Sequence, residues 1–148
     1  MLHLIQNSND DLFDYLTQDP VRPTIPTLAR IGDNKDIFVL RSLDKVQAIT
    51  CVSYQDSIPR SESDLFCTQD QPWCAIFYTI WSYQSGSGRD LIFQSVEHIS
   101  KTKPTIKRFL TLSPKTDMAQ KFHLKNGATI FRENVDTVNY EYIIHKPR

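Results

Sequence analysis

Apolar residues along this chain fall into two patterns: short continuous or alternating runs, which predict strands, and sets spaced three and four apart, which predict helices. Residues 1 to 6, MLHLIQ, read as a first strand. Ser8 or Asn9 then offers an N-cap to a helix in DDLFDYL, with Leu12, Phe13 and Leu16 on one face, ending before Pro20. The three prolines of PVRPTIP demand an extended connection, after which Pro26 opens a short helix, TLARI, that Gly32 stops. DIFVLRS (36–42) and VQAITCVSY (46–54) form a predicted hairpin, and SIPRSESDLFCTQDQP (57–72) is a loop rich in turn formers. WCAIFYTIW (73–81), aromatic and branched, is the expected central strand. The helix that follows carries Ile92, Val96 and Ile99 on one stripe and ends at Pro104. TIKRFLTLSP (105–114) is a strand stopped by Pro114. TDMAQKFHLKNG (116–127) is a helix capped by Thr116 or Asp117 and closed by Gly127. ATIFREN (128–134) and TVNYEYIIH (137–145) form a second hairpin. With no repeat, low-complexity tract or linker, residues 1–148 are expected to make one domain.

Composition narrows the function classes. With 40% apolar and 23% charged residues, the 148-residue chain belongs with ordinary globular proteins. Seventeen basic residues balance seventeen acidic ones, so no global field draws nucleic acid or an anionic membrane. Any anion has to be held by a local arrangement. No window approaches the ~20 apolar residues of a membrane span and the N-terminus has no signal-like run, so a cytoplasmic location is expected. Cys51, Cys67 and Cys74 are odd in number and lack a CxxC spacing, which predicts buried free thiols rather than disulfides or a metal site.

One local arrangement stands out, SYQSGSGRD at 82–90, between the central strand and a helix. A strand running through a glycine turn into a helix leaves unpaired N–H groups aimed at one spot, with the helix dipole behind them. Gly86 and Gly88 clear the approach of a phosphate oxygen and Arg89 adds a charge at the rim; the plainer reading is a connection that uses glycine for its turn geometry. There is no G-K-[ST] of a P-loop and no third glycine of a dinucleotide fingerprint.

Tyr83-Gln84-Ser85-Gly86-Ser87-Gly88 resembles the [RQ]-x-x-G-x-[GA] loop of the Gcn5-related acyltransferases, the GNAT superfamily, with Tyr83 where Arg or Gln is usual. The element order is similar to that superfamily's core, and Ala119-x-x-Phe122-His123-x-x-x-Gly127 resembles its closing helix, with His123 where many members carry a tyrosine acid. The resemblance implies an α+β fold with a mixed, mainly antiparallel central sheet flanked by helices. It implies an acyl-CoA whose pyrophosphate lies on Gln84, Ser85, Gly86, Ser87, Gly88 and Arg89, and whose pantetheine enters where the fourth and fifth strands splay apart, against main-chain groups of Phe77 and Tyr78. Asn126 supports either the helix end or the pantetheine.

The second half matches something narrower. Phe77-Tyr78-Thr79-Ile80, Phe109-Leu110-Thr111-Leu112-Ser113-Pro114, Phe122-His123-Leu124-Lys125-Asn126-Gly127-Ala128, Arg132-x-Asn134 and Val138-Asn139-Tyr140-x-Tyr142 resemble successive motifs of malonyl-CoA decarboxylase, whose catalytic domain itself has the acyltransferase fold. That family carries a longer glycine loop, large insertions and an N-terminal helical domain, so this chain reads as a minimal core. The resemblance assigns catalysis to Ser113, His123 and a tyrosine of the NYxY word, Tyr140 or Tyr142, with Tyr140 taken as the candidate.

Residue chemistry agrees with such a reaction. Decarboxylating a malonyl thioester requires an oriented carboxylate, a donor to the enolate oxygen and a proton for carbon, and no metal or redox cofactor. Ser113 can hydrogen-bond the substrate and His123 can supply the proton. A rival within the fold is transfer of an acetyl group from acetyl-CoA to a small-molecule or protein amine, with Asp56, Glu62 and Asp64 as available bases. A third reading is a non-catalytic CoA-binding module, and a homodimer is left open.

Overall fold

The computed structural model describes residues 1–143. It contains strands β1 (Leu2–Ile5), β2 (Lys35–Ser42), β3 (Lys45–Gln55), β4 (Cys74–Ser82), β5 (Arg108–Thr111), β6 (Ser113–Pro114), β7 (Thr129–Glu133) and β8 (Thr137–Tyr142), and helices α1 (Ser87–Thr102) and α2 (Asp117–Lys125). The strands form one sheet in the order β1-β2-β3-β4-β5-β8-β6, with β7 on β8. Among the described residues only β4 and β5 run parallel. This is the mixed, mainly antiparallel sheet that was expected. Among the described residues no helix is long and apolar enough to cross a membrane.

Strand alternation sorts the core into two layers. Phe38, Leu40, Ala75 and Phe77 face α1, whose Leu91, Ile92, Val96 and Ile99 pack on them. Ile37, Val39, Cys74, Ile76 and Tyr78 face the other way, toward Phe13, Leu16, Ile25 and Leu65. Along β4 the alternation then slips. Cys51 pairs with Thr79 and Val52 with Phe77, so Tyr78 is an extra residue without a partner in β3. Beyond it Ile80 packs in the α1 layer and Trp81 in the other.

Several expectations need correction. The segments read as two short helices are 3-10 turns, Phe13–Gln18 and Thr27–Arg30. In the first, the buried residues Phe13 and Leu16 are three apart and eclipse in a 3-10 turn, which buries both in one revolution. Its entry is fixed by Asp10, whose carboxylate accepts Leu12 N–H at 2.8 Å, and not by Ser8 or Asn9. The 57–72 loop contains a third 3-10 turn, Glu62–Phe66, held by a reciprocal capping box between Ser61 and Asp64 and burying Leu65. Cys51 and Cys74 are buried as expected, but Cys67 is exposed at the end of that turn. The strand expected over 105–114 is two pieces, because the chain breaks from β4 at Leu112. Of the last predicted strand, Ile144 and His145 lie outside the described residues.

Candidate functional site

β4 and β5 stay together for four residues, Cys74 to Phe77 against Arg108 to Thr111. The last bond between them is Leu112 N–H to the Phe77 carbonyl at 3.2 Å. β4 continues to Ser82, while Ser113 and Pro114 pair with β8 instead. The strands therefore splay, and a cleft of about 330 Å³ opens between them, lined by Phe77, Ile80, Gly88, Ser113, Phe122 and His123 among others.

The bulge decides which main-chain groups face that cleft. Tyr83 N–H donates to the Gln47 carbonyl at 2.8 Å, so beyond the bulge Tyr83, Trp81 and Thr79 turn their main chain toward β3 and Ile80 turns its own toward the splay. Phe77 and Tyr78 line the cleft as expected. Their carbonyls, however, are taken, that of Phe77 by Leu112 N–H and that of Tyr78 by the Arg22 Nε–H at 3.2 Å. Among the described residues the ladder groups that turn to the splay belong to Ile80, two residues past the expected pair and its bulged Tyr78. The inserted residue reverses the alternation, which sequence cannot register without a partner strand.

At the mouth of the cleft, Gly86 caps α1 with φ of +81°, a left-handed conformation natural to glycine. Ser87 N–H folds back on the Gln84 carbonyl at 3.2 Å, and Ser87 Oγ donates to the Gln47 carbonyl at 2.9 Å. Gln84 accepts from the Gln47 side chain at 3.0 Å. These bonds tie the turn to β3. Among the described residues the N–H groups of Gly86, Gly88 and Arg89 have no protein partner, which leaves three donors at a helix N-terminus. Ser85 and Arg89 are exposed there, Arg89 lying over the Phe93 ring at 5.2 Å. A Cβ on Gly88 would stand 3.1 Å from Phe122, so this glycine also lets α1 meet α2. Tyr83, where the resembled loop carries Arg or Gln, is turned away, its hydroxyl meeting Gln18 and Trp81.

At the inner wall the chain gathers a row of polar groups. Ser113 Oγ lies 3.2 Å from His123 Nε2 and donates to Thr111 Oγ1 at 2.8 Å. His123 Nδ1 lies 2.7 Å from the Tyr142 hydroxyl. Tyr142 is buried and this is the partner its O–H has, so the arrangement that satisfies every group has Tyr142 donating to Nδ1. Nε2 then carries the proton and points at Ser113. Burial pulls His123 down to about 4, so the ring is neutral at pH 7 and serves as an N–H donor. Burial pushes the Tyr142 phenol up, which keeps its proton in place.

Of the residues singled out in the sequence, Ser113 and His123 are thus brought together at the cleft. Tyr140 is not hydrogen-bonded to them; its ring stacks on His123 with centroids 4.9 Å apart, and Tyr142 supplies the hydroxyl instead. Asn126 is the C-cap of α2 and does not line the cleft, so it supports the helix end. The Arg132-x-Asn134 and Asn139 words are structural: Asn139 donates to the Thr111 and Pro59 carbonyls, and Arg132 to that of Ile58. Thr111 escaped sequence reading although it lies two residues before Ser113, the spacing that puts both on one strand face.

No protein-family model and no curated protein matches the chain. Solved structures do. Malonyl-CoA decarboxylase from Agrobacterium vitis superposes with a TM-score of 0.69 at 22% identity, over 82% of this chain and 35% of its own. The enzyme of the same name from Cupriavidus metallidurans gives 0.72 at 15% identity, over 97% of this chain and 60% of its own. Tetrahymena GCN5 gives 0.66 at 16% identity, over 98% and 96%. The chain thus spans about a third to three fifths of these two decarboxylases and nearly all of the acetyltransferase. It has a GNAT-like acyltransferase fold that resembles the fold of the malonyl-CoA decarboxylases.

Proposed function

We propose that the chain binds a coenzyme A thioester and decarboxylates its malonyl form to acetyl-CoA and CO2. The observation that carries this reading is the row Ser113, His123 and Tyr142 at the inner wall of a cleft that no Asp or Glu lines among the described residues. Bound pyrophosphate would lie on the free N–H groups of Gly86, Gly88 and Arg89, and pantetheine would run along β4 past Ile80. The Ser113 hydroxyl turns from Thr111 to the malonyl carboxylate and orients it out of the thioester plane, so that the bond to carbon can break with its electron pair entering the thioester π system. With substrate in place, the neutral Nε2–H of His123 turns from Ser113 to the enolate oxygen and its proton passes to carbon as water entering the cleft returns one to the ring; Tyr142, bonded to Nδ1, holds the ring in that tautomer. One proton is taken up and one CO2 leaves.

Acetyl transfer to an amine would need a base to take the amine's proton. The carboxylates available for that work are engaged elsewhere: Asp56 Oδ2 accepts Asp70 N–H, Asp64 closes the capping box, and Glu62 lies 3.5 Å from Arg22. A carboxylate-free cleft also spares an anionic malonyl group from repulsion.

Incubating the protein separately with malonyl-CoA and with acetyl-CoA, each with and without amines, tells the readings apart. Acetyl-CoA appearing from malonyl-CoA without an amine is the expected result. Free CoA appearing from acetyl-CoA only with an amine would favour acyl transfer, and binding without turnover would leave a CoA-binding module.

A further inference from the structure

The splay that makes the cleft also leaves main-chain carbonyls without ladder partners, and one side chain serves both strands. The Tyr78 carbonyl, at the bulge in β4, accepts Arg22 Nε–H at 3.2 Å. The carbonyl of Leu112, the residue at which the other strand departs, accepts from an Nη of the same guanidinium at 2.8 Å. A single planar fork therefore stands across the apex of the splay.

Arg22 is itself fixed in place. Asp19 Oδ1 accepts the N–H groups of Val21 and Arg22 at 2.7 and 3.0 Å and the hydroxyl of Thr79, on β4, at 2.8 Å. The other oxygen of Asp19 meets Arg30 at 2.6 Å, and Arg30, 1% exposed, donates back to the Arg22 carbonyl at 2.8 Å. Two buried charges and a threonine thus staple the Asp19–Arg22 corner to β4 beside the cleft. Desolvating an arginine to serve two carbonyls is costly unless those carbonyls would otherwise be stranded, as they are at a forced strand separation.

We propose that Arg22 is a positioning residue that holds β4 and β5 apart where the acyl end of a CoA thioester enters; the ligand, though not the clamp, rests on the function proposed above. Without the fork, the Leu112 carbonyl and the Ile80 N–H are the ladder groups that closure of the strands would pair. Closure would narrow the cleft ahead of Ser113.

The test compares wild type, Arg22→Met and Arg22→Lys by calorimetry with CoA and by amide hydrogen exchange at Ile80. Arg22→Met should weaken CoA binding by roughly tenfold or more, and should slow Ile80 exchange in the absence of ligand by a similar factor. Arg22→Lys, which keeps a cation but not the planar fork, should recover part of each change; it also serves if the methionine variant does not fold. Unchanged affinity or unchanged Ile80 exchange in Arg22→Met, or in Arg22→Lys no better than Arg22→Met, would overturn the clamp. If wild type itself does not bind CoA, the CoA reading falls alone and Ile80 exchange decides the clamp.

Discussion

Alanine in place of His123 is expected to lower kcat for malonyl-CoA by roughly a hundredfold or more, while the Kd for CoA stays within about twofold of wild type. The substitution removes the Nε2–H that faces Ser113 at 3.2 Å, and with it the order of the row and the proposed delivery of a proton. The glycine turn at the mouth of the cleft is untouched, so the proposed pyrophosphate contacts should survive. Alanine also leaves the Tyr142 hydroxyl unpartnered and removes the ring stacked on Tyr140, which costs on the order of 2 kcal/mol of stability. His123→Gln keeps more of the volume and a donor toward Ser113 but cannot give up a proton, so it should be better folded and equally slow. Product formation followed by chromatography, beside thermal unfolding of each variant, separates the two effects. If the reaction were amine acetylation, His123→Tyr would instead retain part of the activity, since tyrosine is the acid that many acyltransferases are expected to carry there.

The second large effect belongs to the glycine turn. Gly86→Val and Gly88→Val should each raise the Kd for CoA by roughly tenfold or more, for different reasons. At Gly86 there is open space around a Cβ, so the obstacle is to the ligand, and the φ of +81° adds backbone strain of about 1–2 kcal/mol. At Gly88 the new side chain meets Phe122 at 3.1 Å or closer and must push α1 from α2, shifting a wall of the cleft. Calorimetry with CoA, read beside the unfolding temperature of each variant, checks both. Binding that is unchanged in both variants would remove the phosphate cradle from the account.

How much of this was legible in the sequence depended on whether the signal was local. β4, α1 and α2 stood out because their apolar spacing, their caps and their flanking turn residues all agree within one element. The 3-10 turns did not, since a burial spacing of three fits the first turn of an α-helix equally well. Ser113 and His123 were found through motifs, yet the choice between Tyr140 and Tyr142 needed the fold. Both lie on one face of β8, and only the pairing of Phe109 with Tyr142 brings that hydroxyl, rather than its neighbour's, to His123. Arg22 was invisible for a stronger reason. Its partners lie 56 and 90 residues away, and the need for it arises from a bulge whose presence depends on how β3 and β4 register.

The central claim is that the Ser113–His123 row turns a malonyl thioester into an acetyl thioester by losing CO2 and adding one proton to carbon. Running the wild-type protein with malonyl-CoA in deuterium oxide, and weighing the acetyl-CoA by mass spectrometry while trapping CO2, tests it most directly. The account predicts CO2 and acetyl-CoA in equal amounts, with one deuterium gained at the carbon that lost the carboxylate beyond any exchange seen in substrate alone. Malonyl-CoA that stays intact, or is cleaved to free CoA and malonate without CO2, would contradict it.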